Sequence, residues 1–223
     1  MSFQDMSFAD NPDPRCPVVL ALDTSASMGE CYPGDQAPPI SELNEGLEHL
    51  VLELHKDPLA LRRVEIAIVT FGSSVEVAAD FATADHIVLP TLEPSGTTAM
   101  GGAIDKALDL IDARKTIYKN NGVPYYRPWL MMITDGLPTD DWGPAAERVR
   151  KAELDKRVAF FPVGVHEADF TVLDKLGTRK ALKLRGLRFT ELFVWLSASQ
   201  SRVSASNPGE AVALPTTSGW AEV

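Results

Sequence analysis

Oxygen-bearing side chains occupy alternate positions in the segment 23–27, as Asp23, Ser25 and Ser27. The segment follows an apolar run over 17–22, and such a run is typical of a buried strand. Carboxylate and hydroxyl oxygens are the ligands that a hard divalent cation prefers. Because these donors do not complete an octahedral shell, a cation site here needs further oxygen ligands from elsewhere in the chain.

Two later segments offer ligands of the missing kind. Thr97 and Thr98 lie in a turn before a predicted helix, and Asp135 follows a second apolar run over 129–133. In open sheets of parallel strands, the ligand site lies beyond the carboxyl ends of the strands. Asp23 and Asp135 are both predicted at such ends, so the order of elements should bring their carboxylates to one edge of the sheet.

The three segments, in this order, resemble the metal-ion-dependent adhesion site of von Willebrand factor A domains. Longer stretches are similar to one bacterial branch of that family, the TerY/YegL-type proteins of tellurite-resistance and stress operons; these stretches are 28–29, 96–101, 125–129, 133–142 and 160–165. The similarity runs from about Pro17 to Trp220. It implies a non-enzymatic domain that binds other proteins through a metal ion.

The resemblance also implies which residues would hold the cation: Asp23, Ser25, Ser27, Thr98 and Asp135. Thr98 is favoured over Thr97 because Ala103-Ile104 follows Thr98 at the spacing that the family's helix requires. Two carboxylates would balance the charge of a divalent ion without saturating its shell. A partner's Asp or Glu would then complete the shell. Mg²⁺ is expected because it readily keeps several waters, with Mn²⁺ and Ca²⁺ as alternatives.

A structural role is the alternative for each of these segments. An Asp or Ser directly after a strand often caps the next helix or closes an Asx turn. That explanation would suffice for Asp23 or Asp135 taken singly, whereas their joint presence favours the cation site. Asp140 and Asp141 lie just before Pro144, and we expect them to cap a helix rather than to support the cation.

The segment 30–39 is an insertion relative to the family's pattern, and its dense Gly and Pro residues predict a loop. The loop would place Cys31, Tyr32 and Asp35 beside the cation, where they could narrow the choice of partner. In a second hypothesis, Asp35 itself occupies the open coordination position.

Composition excludes several classes of function. The net charge of −10 argues against a general nucleic-acid or anionic-membrane surface. We expect the basic residues between Lys175 and Arg188 to be solvated rather than to bind an acidic partner. No apolar stretch reaches the ~18 residues of a membrane span, and the N-terminus lacks a secretory pattern, so a cytoplasmic location is expected.

The two cysteines, Cys16 and Cys31, flank the first predicted strand. A strand of this length spans ~20 Å, and a disulfide needs Cα atoms within ~7 Å, so we predict free thiols. The aromatic residues of 125–129 are predicted at the opposite end of the sheet from the cation, where we expect them to pack rather than to bind.

Strands alternating with helices predict an α/β fold: a single doubly wound, mostly parallel sheet with helices on both faces and one antiparallel edge strand. We expect a flexible arm over 1–16, the domain over 17–202, and an extended tail over 203–223. The last predicted helix spans 188–199, and 181–184 is the predicted last edge strand.

Three functions compete on the sequence alone. The favoured one is the metal-dependent binding module, with kinase-like or phosphatase-like partners from the same operons implied by the resemblance. The second is a Mg²⁺-dependent phosphohydrolase on a similar fold, in which Asp23 would be the nucleophile. Such enzymes place an acidic residue two positions later, where this chain has Ser25, and no general base is evident. The third is a structural subunit with a relic metal site.

Overall fold

The computed structural model describes Phe8 and residues 11–166 and 168–222. The strands in this part are β1 Cys16–Asp23, β2 Val64–Phe71, β3 Val75–Thr83, β4 Trp129–Thr134, β5 Ala159–Gly164, β6 Leu182–Leu184 and β7 Ala221–Glu222. The helices are α1 Pro39–His55, α2 Pro58–Arg63, α3 Met100–Asn120, α4 Gly143–Leu154, α5 Phe170–Leu176 and α6 Phe189–Ala205. The strands form one sheet in the order β3-β2-β1-β4-β5-β6-β7.

Strand β1 lies in the middle of the sheet and is buried along its whole length. Its alternate side chains point to opposite faces. Val18, Leu20 and Leu22 join the core beneath α1 and α6, whereas Val19 and Ala21 join the core beneath α3 and α4. The uninterrupted apolar run in the sequence is therefore that of a parallel strand covered on both faces.

The central strands are parallel, so their carboxyl ends meet at one edge. Asp23 is opposite Phe71 of β2, and Leu22 is opposite Ile133 of β4. The predicted doubly wound α/β fold is confirmed. β3 pairs antiparallel with β2, as predicted for an edge strand.

The other edge of the sheet carries a strand that the sequence does not predict. β7, from the C-terminal tail, pairs antiparallel with β6, so β6 is not the last strand. The amide of Arg185 donates to the carbonyl of Trp220 at 2.9 Å, and the Trp220 ring lies 5.7 Å from that of Trp195. A strand of two residues has no periodicity to detect, and side-chain packing determines its position.

Two helices also differ from the prediction. Helix α2 is not predicted, although Asp57 and Pro58 carry its signal: the Asp57 carboxylate accepts hydrogen bonds from Leu59 N and Ala60 N at 2.9 and 3.2 Å. Helix α6 continues past the predicted end at Ser199 to Ala205. Serine has only a modest helix propensity, but this extension is buried in part, and tertiary packing overrides propensity.

The amino-terminal end of the sheet is closed by a buried ionic cluster around Glu65. Its carboxylate accepts from Arg15 Nε at 3.0 Å, from Arg114 Nε at 2.9 Å and from the hydroxyl of Tyr118. Arg15 is only 2% exposed. Of the predicted arm over 1–16, residues 1–7, 9 and 10 lie outside the described residues.

Several smaller predictions concern side chains. Both cysteines are free, Cys16 buried and Cys31 exposed, as their spacing predicts. Much of the basic stretch near the C-terminus forms local ion pairs: Arg179 with Glu153, Lys180 with Asp174, Arg185 with Glu222 and Arg188 with Glu191. In the described part of the chain, no helix is both long and apolar enough to traverse a bilayer.

Candidate metal centre

The chain turns sharply at the end of β1, and the turn is built on Asp23. Its side chain is fully buried, and Oδ1 accepts a hydrogen bond from Ser25 N at 2.8 Å. Ser25 then precedes a short 3-10 turn over Ala26–Gly29. This Asx-type closure is the structural role considered above, and it leaves Oδ2 of Asp23 directed elsewhere.

The hydroxyls of this turn reach across to the end of β4. Ser27 Oγ donates to Asp135 Oδ1 at 2.8 Å, and Ser25 Oγ lies 3.1 Å from Ser27 Oγ. Ser25, Ser27 and Asp135 therefore form a continuous row of oxygen atoms, as the sequence predicts from their positions at strand ends.

Thr98 belongs to the same group of side chains, and Thr97 does not. A Cβ placed on Gly136 would lie 3.0 Å from Thr98 Oγ1 and 3.7 Å from Asp23 Oδ2, so both oxygens border the same small space beside Gly136. Thr98 is buried, whereas Thr97 is exposed, with its hydroxyl 3.4 Å from Ser73 Oγ. The structure brings together all five residues predicted as ligands.

Thr134 is a supporting residue that the sequence analysis does not single out. Its hydroxyl donates to Asp23 Oδ2 and accepts from Gly136 N at 3.2 Å. It is fully buried at the end of an apolar strand. A lone hydroxyl at the last position of such a strand was the available signal.

The loop after β4 holds Thr98 in place. Thr139 N donates to the Thr98 carbonyl at 2.9 Å, and Thr98 N donates to the Thr139 hydroxyl at 3.2 Å. The Asp140 carboxylate accepts from Gly101 N and Gly102 N at 3.0 and 2.9 Å. Asp140 therefore caps α3, the helix that follows Thr98.

Asp141 behaves differently from its neighbour. It is exposed, and its carboxylate accepts from Gly143 N at 3.2 Å, at the first residue of α4. Capping was predicted for both residues. Because Asp140 caps a helix from a distant part of the chain, it fixes the position of Thr98 as well.

Burial disfavours the charged form of both carboxylates at this site, those of Asp23 and Asp135. Burial raises the pKa of Asp23 to about 6, and the charge of Asp135 contributes to the increase. Burial likewise raises the pKa of Asp135, against the effects of the Ser27 hydrogen bond and of His166. Asp135 Oδ2 is buried and has no hydrogen-bond partner among the described residues. A buried carboxylate oxygen without a partner is costly, and a cation would remove that cost.

The donor set suits a hard cation. It contains two carboxylates and three hydroxyls, all of them oxygen donors. Within the residues that the structure describes, no group of three or more His, Cys, Asp or Glu side chains could hold a metal ion. Softer metals that need thiolates or several imidazoles therefore lack their usual ligands at this site.

The loop inserted over 30–39 is fastened beside these residues. The rings of Tyr32 and His166 stack with centroids 4.7 Å apart. Asp35 Oδ2 accepts from Tyr32 N at 3.3 Å and lies 3.1 Å from His166 Nε2, without the geometry of a hydrogen bond. The Asp35 carboxylate is thus engaged by the loop and by His166.

Most of the chain matches one known protein family. Residues 18–191 match the sequence profile of the von Willebrand factor type A domain. The chain belongs to the von Willebrand factor type A family. A comparison with curated proteins gives no match.

Solved structures of von Willebrand factor type A domains and related proteins share the fold. One is a von Willebrand factor type A protein from Catenulispora acidiphila, with 18% identity, a TM-score of 0.62, and coverage of 85% of this chain and 43% of the other. Another is the proximal thread matrix protein from the mussel byssus with a zinc-occupied MIDAS motif, with 15% identity, a TM-score of 0.57, and coverage of 86% and 49%.

A third similar structure is the ArnB paralog VWA2 from Sulfolobus acidocaldarius, with 17% identity, a TM-score of 0.56, and coverage of 83% of this chain and 45% of the other. The chain thus spans less than half the length of each of these three structures. At such identities the similarity establishes the fold.

Proposed function

We propose that this von Willebrand factor type A domain is a non-catalytic module that binds a protein partner through a divalent cation. The observation that carries the proposal is the buried Asp135 Oδ2, which has no partner among the described residues and lies in a row of oxygen atoms with Ser25 and Ser27. Such an arrangement is unfavourable without a cation and well suited to one.

Each residue has a defined role in this proposal. Ser25, Ser27 and Thr98 would supply neutral oxygens, and Asp23 and Asp135 would bind directly or through water. Two negative charges neutralise a divalent ion, and the hydroxyls leave its affinity for a further anion intact. Mg²⁺ is the proposed ion, with Mn²⁺ and Ca²⁺ as alternatives. The zinc-occupied motif of the mussel protein supports a divalent cation at the equivalent place.

The partner would contribute an Asp or Glu carboxylate to the open position. Leu137 lies two residues after Asp135, and its side chain is 60% exposed, so it offers an apolar contact next to the ion. The loop 30–39 would form a wall on another side and restrict the approach of the partner. On the TerY/YegL-type resemblance, we propose a cytoplasmic stress-response complex with kinase-like or phosphatase-like partners.

Titration calorimetry tests the cation site. Mg²⁺, Mn²⁺ and Ca²⁺ are added separately to metal-stripped wild type, to Asp23→Ala and to the control Asp141→Ala, whose carboxylate caps α4 outside the site. We expect saturable one-site binding in the wild type and the control, and none in Asp23→Ala. Absence of binding of all three ions to the wild type would contradict the proposal.

The open coordination position has its own test. Protein-bound Mn²⁺ relaxes the protons of its coordinated water, and acetate should reduce this relaxation by replacing that water. An unchanged relaxation rate at saturating acetate would mean that no position is open to a carboxylate.

Hydrolysis of p-nitrophenyl phosphate by the wild type but not by Asp23→Ala would instead favour the alternative function, a Mg²⁺-dependent phosphohydrolase.

A further inference from the structure

A cleft lies at the opposite end of the sheet from the cation site. Its volume is about 1000 Å³, and its walls come from the end of α3, the segment 125–129, the residues after α4, and the tail over 209–214. Pockets of this size accommodate small organic ligands. The tail wall is held by Trp195 Nε1, which donates to the Pro215 carbonyl at 2.9 Å, and by Arg202, which donates to the Ala213 carbonyl at 3.1 Å.

The charged residues that line this cleft are mostly basic, although the protein as a whole is acidic, and we call it the basic cleft. Its acidic residues are Asp112 and Glu210, and its basic residues are Lys115, Lys119, Arg127, Lys156, Arg157 and Arg179. The cleft therefore has an excess of positive charge in a chain whose net charge is −10. Such a concentration of one sign in a concave site raises the local concentration of oppositely charged ligands.

The acidic residues within reach do not neutralise these cations. Arg157 Nη2 lies 2.9 Å from both oxygens of Asp112, and Lys115 Nζ lies 3.3 Å from the same carboxylate, so one negative charge serves two cations. The Glu210 carboxylate accepts from Asn207 N at 3.0 Å. Arg179 pairs with Glu153, which lies outside the lining.

Three further cations have no carboxylate as a hydrogen-bond or ion-pair partner among the described residues. Arg127 donates to the carbonyls of Val158 and Glu153 at 2.6 and 2.9 Å, which are neutral acceptors. Lys119 and Lys156 are exposed, and neither forms an ion pair with any residue that the structure describes.

The protonation equilibria reflect the same crowding of positive charge. Burial lowers the pKa of Lys115, and the nearby charges of Arg157 and Lys119 lower it further, against the effect of Asp112. Burial and then the charge of Arg179 lower the pKa of Arg127, against the effect of the Glu153 charge. An anion bound among these groups would relieve their mutual repulsion.

We propose that the basic cleft binds a small organic phosphate. Phosphate oxygens accept several charge-assisted hydrogen bonds at once from guanidinium and ammonium groups, which the cleft presents from three sides. Tyr125 and Trp129 also line the cleft, and their rings would supply an apolar flank for the organic part. This site is independent of the cation site, which lies at the other end of the sheet.

Calorimetric titration with pyrophosphate and with ADP, in EDTA so that no divalent cation contributes, tests the proposal. The wild type should bind both, and the affinity should fall with increasing salt. The double substitution Lys119→Glu and Lys156→Glu changes two exposed side chains without disturbing the core, and it should weaken pyrophosphate binding by about tenfold or more. The double substitution Lys106→Glu and Lys151→Glu changes the charge by the same amount at two exposed lysines outside the lining of the cleft, and it is the matched control.

The cation-site variant Asp23→Ala separates the two proposals, since it should bind pyrophosphate as the wild type does. Absence of binding to the wild type would overturn the basic cleft as a phosphate site. So would equal affinity in the double variant of the cleft and the wild type, or equal affinity for adenosine and ADP. Tighter binding of a poly-glutamate peptide than of pyrophosphate would show that the cleft recognises acidic protein segments instead.

Discussion

The Ser27 hydroxyl donates to Asp135 Oδ1 at 2.8 Å and so connects two loops whose residues are 108 positions apart in the chain. One oxygen of that carboxylate is thereby oriented by the first loop. The other, Oδ2, is buried without a partner among the described residues. The centre is therefore preorganised: the hydroxyl fixes the carboxylate, and the remaining oxygen is available to an ion.

Thr98 and Thr97 form a matched pair for testing the ligand set. Thr98→Ala removes the hydroxyl beside Asp23, and we expect it to weaken Mg²⁺ or Mn²⁺ binding by roughly tenfold. Thr97→Ala removes an exposed hydroxyl that lies by Ser73, and it should leave the affinity unchanged. Calorimetry on the two variants measures both affinities. A larger loss of cation affinity in Thr97→Ala than in Thr98→Ala would show that Thr97 is the ligand.

The raised pKa of Asp23 predicts a pH dependence of stability in the metal-free protein. Its pKa is about 6 in the folded state against 3.8 for the free group, so the folded state binds more protons between these values. The stability that protonation of Asp23 gives to the folded state is therefore fully present below pH 3.8. It is lost as the pH rises through about 6. The loss is at most on the order of 3 kcal/mol in the free energy of unfolding.

Urea unfolding in EDTA at pH 4.5 and at pH 7 measures this effect. Asp23→Asn cannot titrate, so its stability should fall less than that of the wild type between the two pH values. Added Mg²⁺ should restore wild-type stability at pH 7, because the ion binds the deprotonated carboxylate. Parallel pH profiles for the wild type and Asp23→Asn would contradict the prediction.

Asp35 provides a test of the inserted loop. Its carboxylate is engaged by Tyr32 N and lies beside His166. We therefore expect Asp35→Asn to leave cation affinity unchanged in calorimetry. A clear loss of affinity would instead support the hypothesis that Asp35 fills the open coordination position.

The buried cluster at the amino-terminal end of the sheet should be essential for stability. Glu65→Gln removes the charge that compensates Arg15 and Arg114 while keeping the shape of the side chain. Breaking a buried ion pair in this way costs about 3–5 kcal/mol in the free energy of unfolding. Chemical denaturation should show that loss for Glu65→Gln and almost none for Glu48→Gln, an exposed position on α1.

Gly46 should be required for the contact between α1 and α6. A Cβ at this position would lie 2.7 Å from the Phe193 ring, closer than two carbon atoms can pack. Alanine improves helix propensity by about 1 kcal/mol, but overpacking costs about 1–3 kcal/mol, so Gly46→Ala should lower the Tm. Glu45→Ala, exposed on the same turn, is the control and should not lower it.

The sequence alone predicts the α/β fold because its signals are local and strong. The apolar runs that become β1 and β4 are typical of strands buried on both faces, and parallel strands bring Asp23 and Asp135 to one edge. Helix α2 has a local signal in Asp57 and Pro58, although it is absent from the prediction. β7 and the last turns of α6 had none. Tertiary contacts hold them instead: Trp220, next to β7, packs against Trp195, and the Ser204 carbonyl in α6 accepts from Arg63 and from Tyr126.

For the candidate metal centre too, the sequence determined some features and the tertiary structure decided others. Residue types and their order in the chain determined that oxygen donors follow two neighbouring strands, which is enough to predict a cation site. The resemblance already favoured Thr98 over Thr97, and the tertiary structure shows that Thr98 is the buried one of the two. Only the tertiary structure decided that Asp140 caps α3 instead of α4. Adjacent residues in a turn point in different directions, and contacts with loops distant in sequence fix those directions. The basic cleft likewise exists only in three dimensions, since its cations come from segments that no local pattern connects.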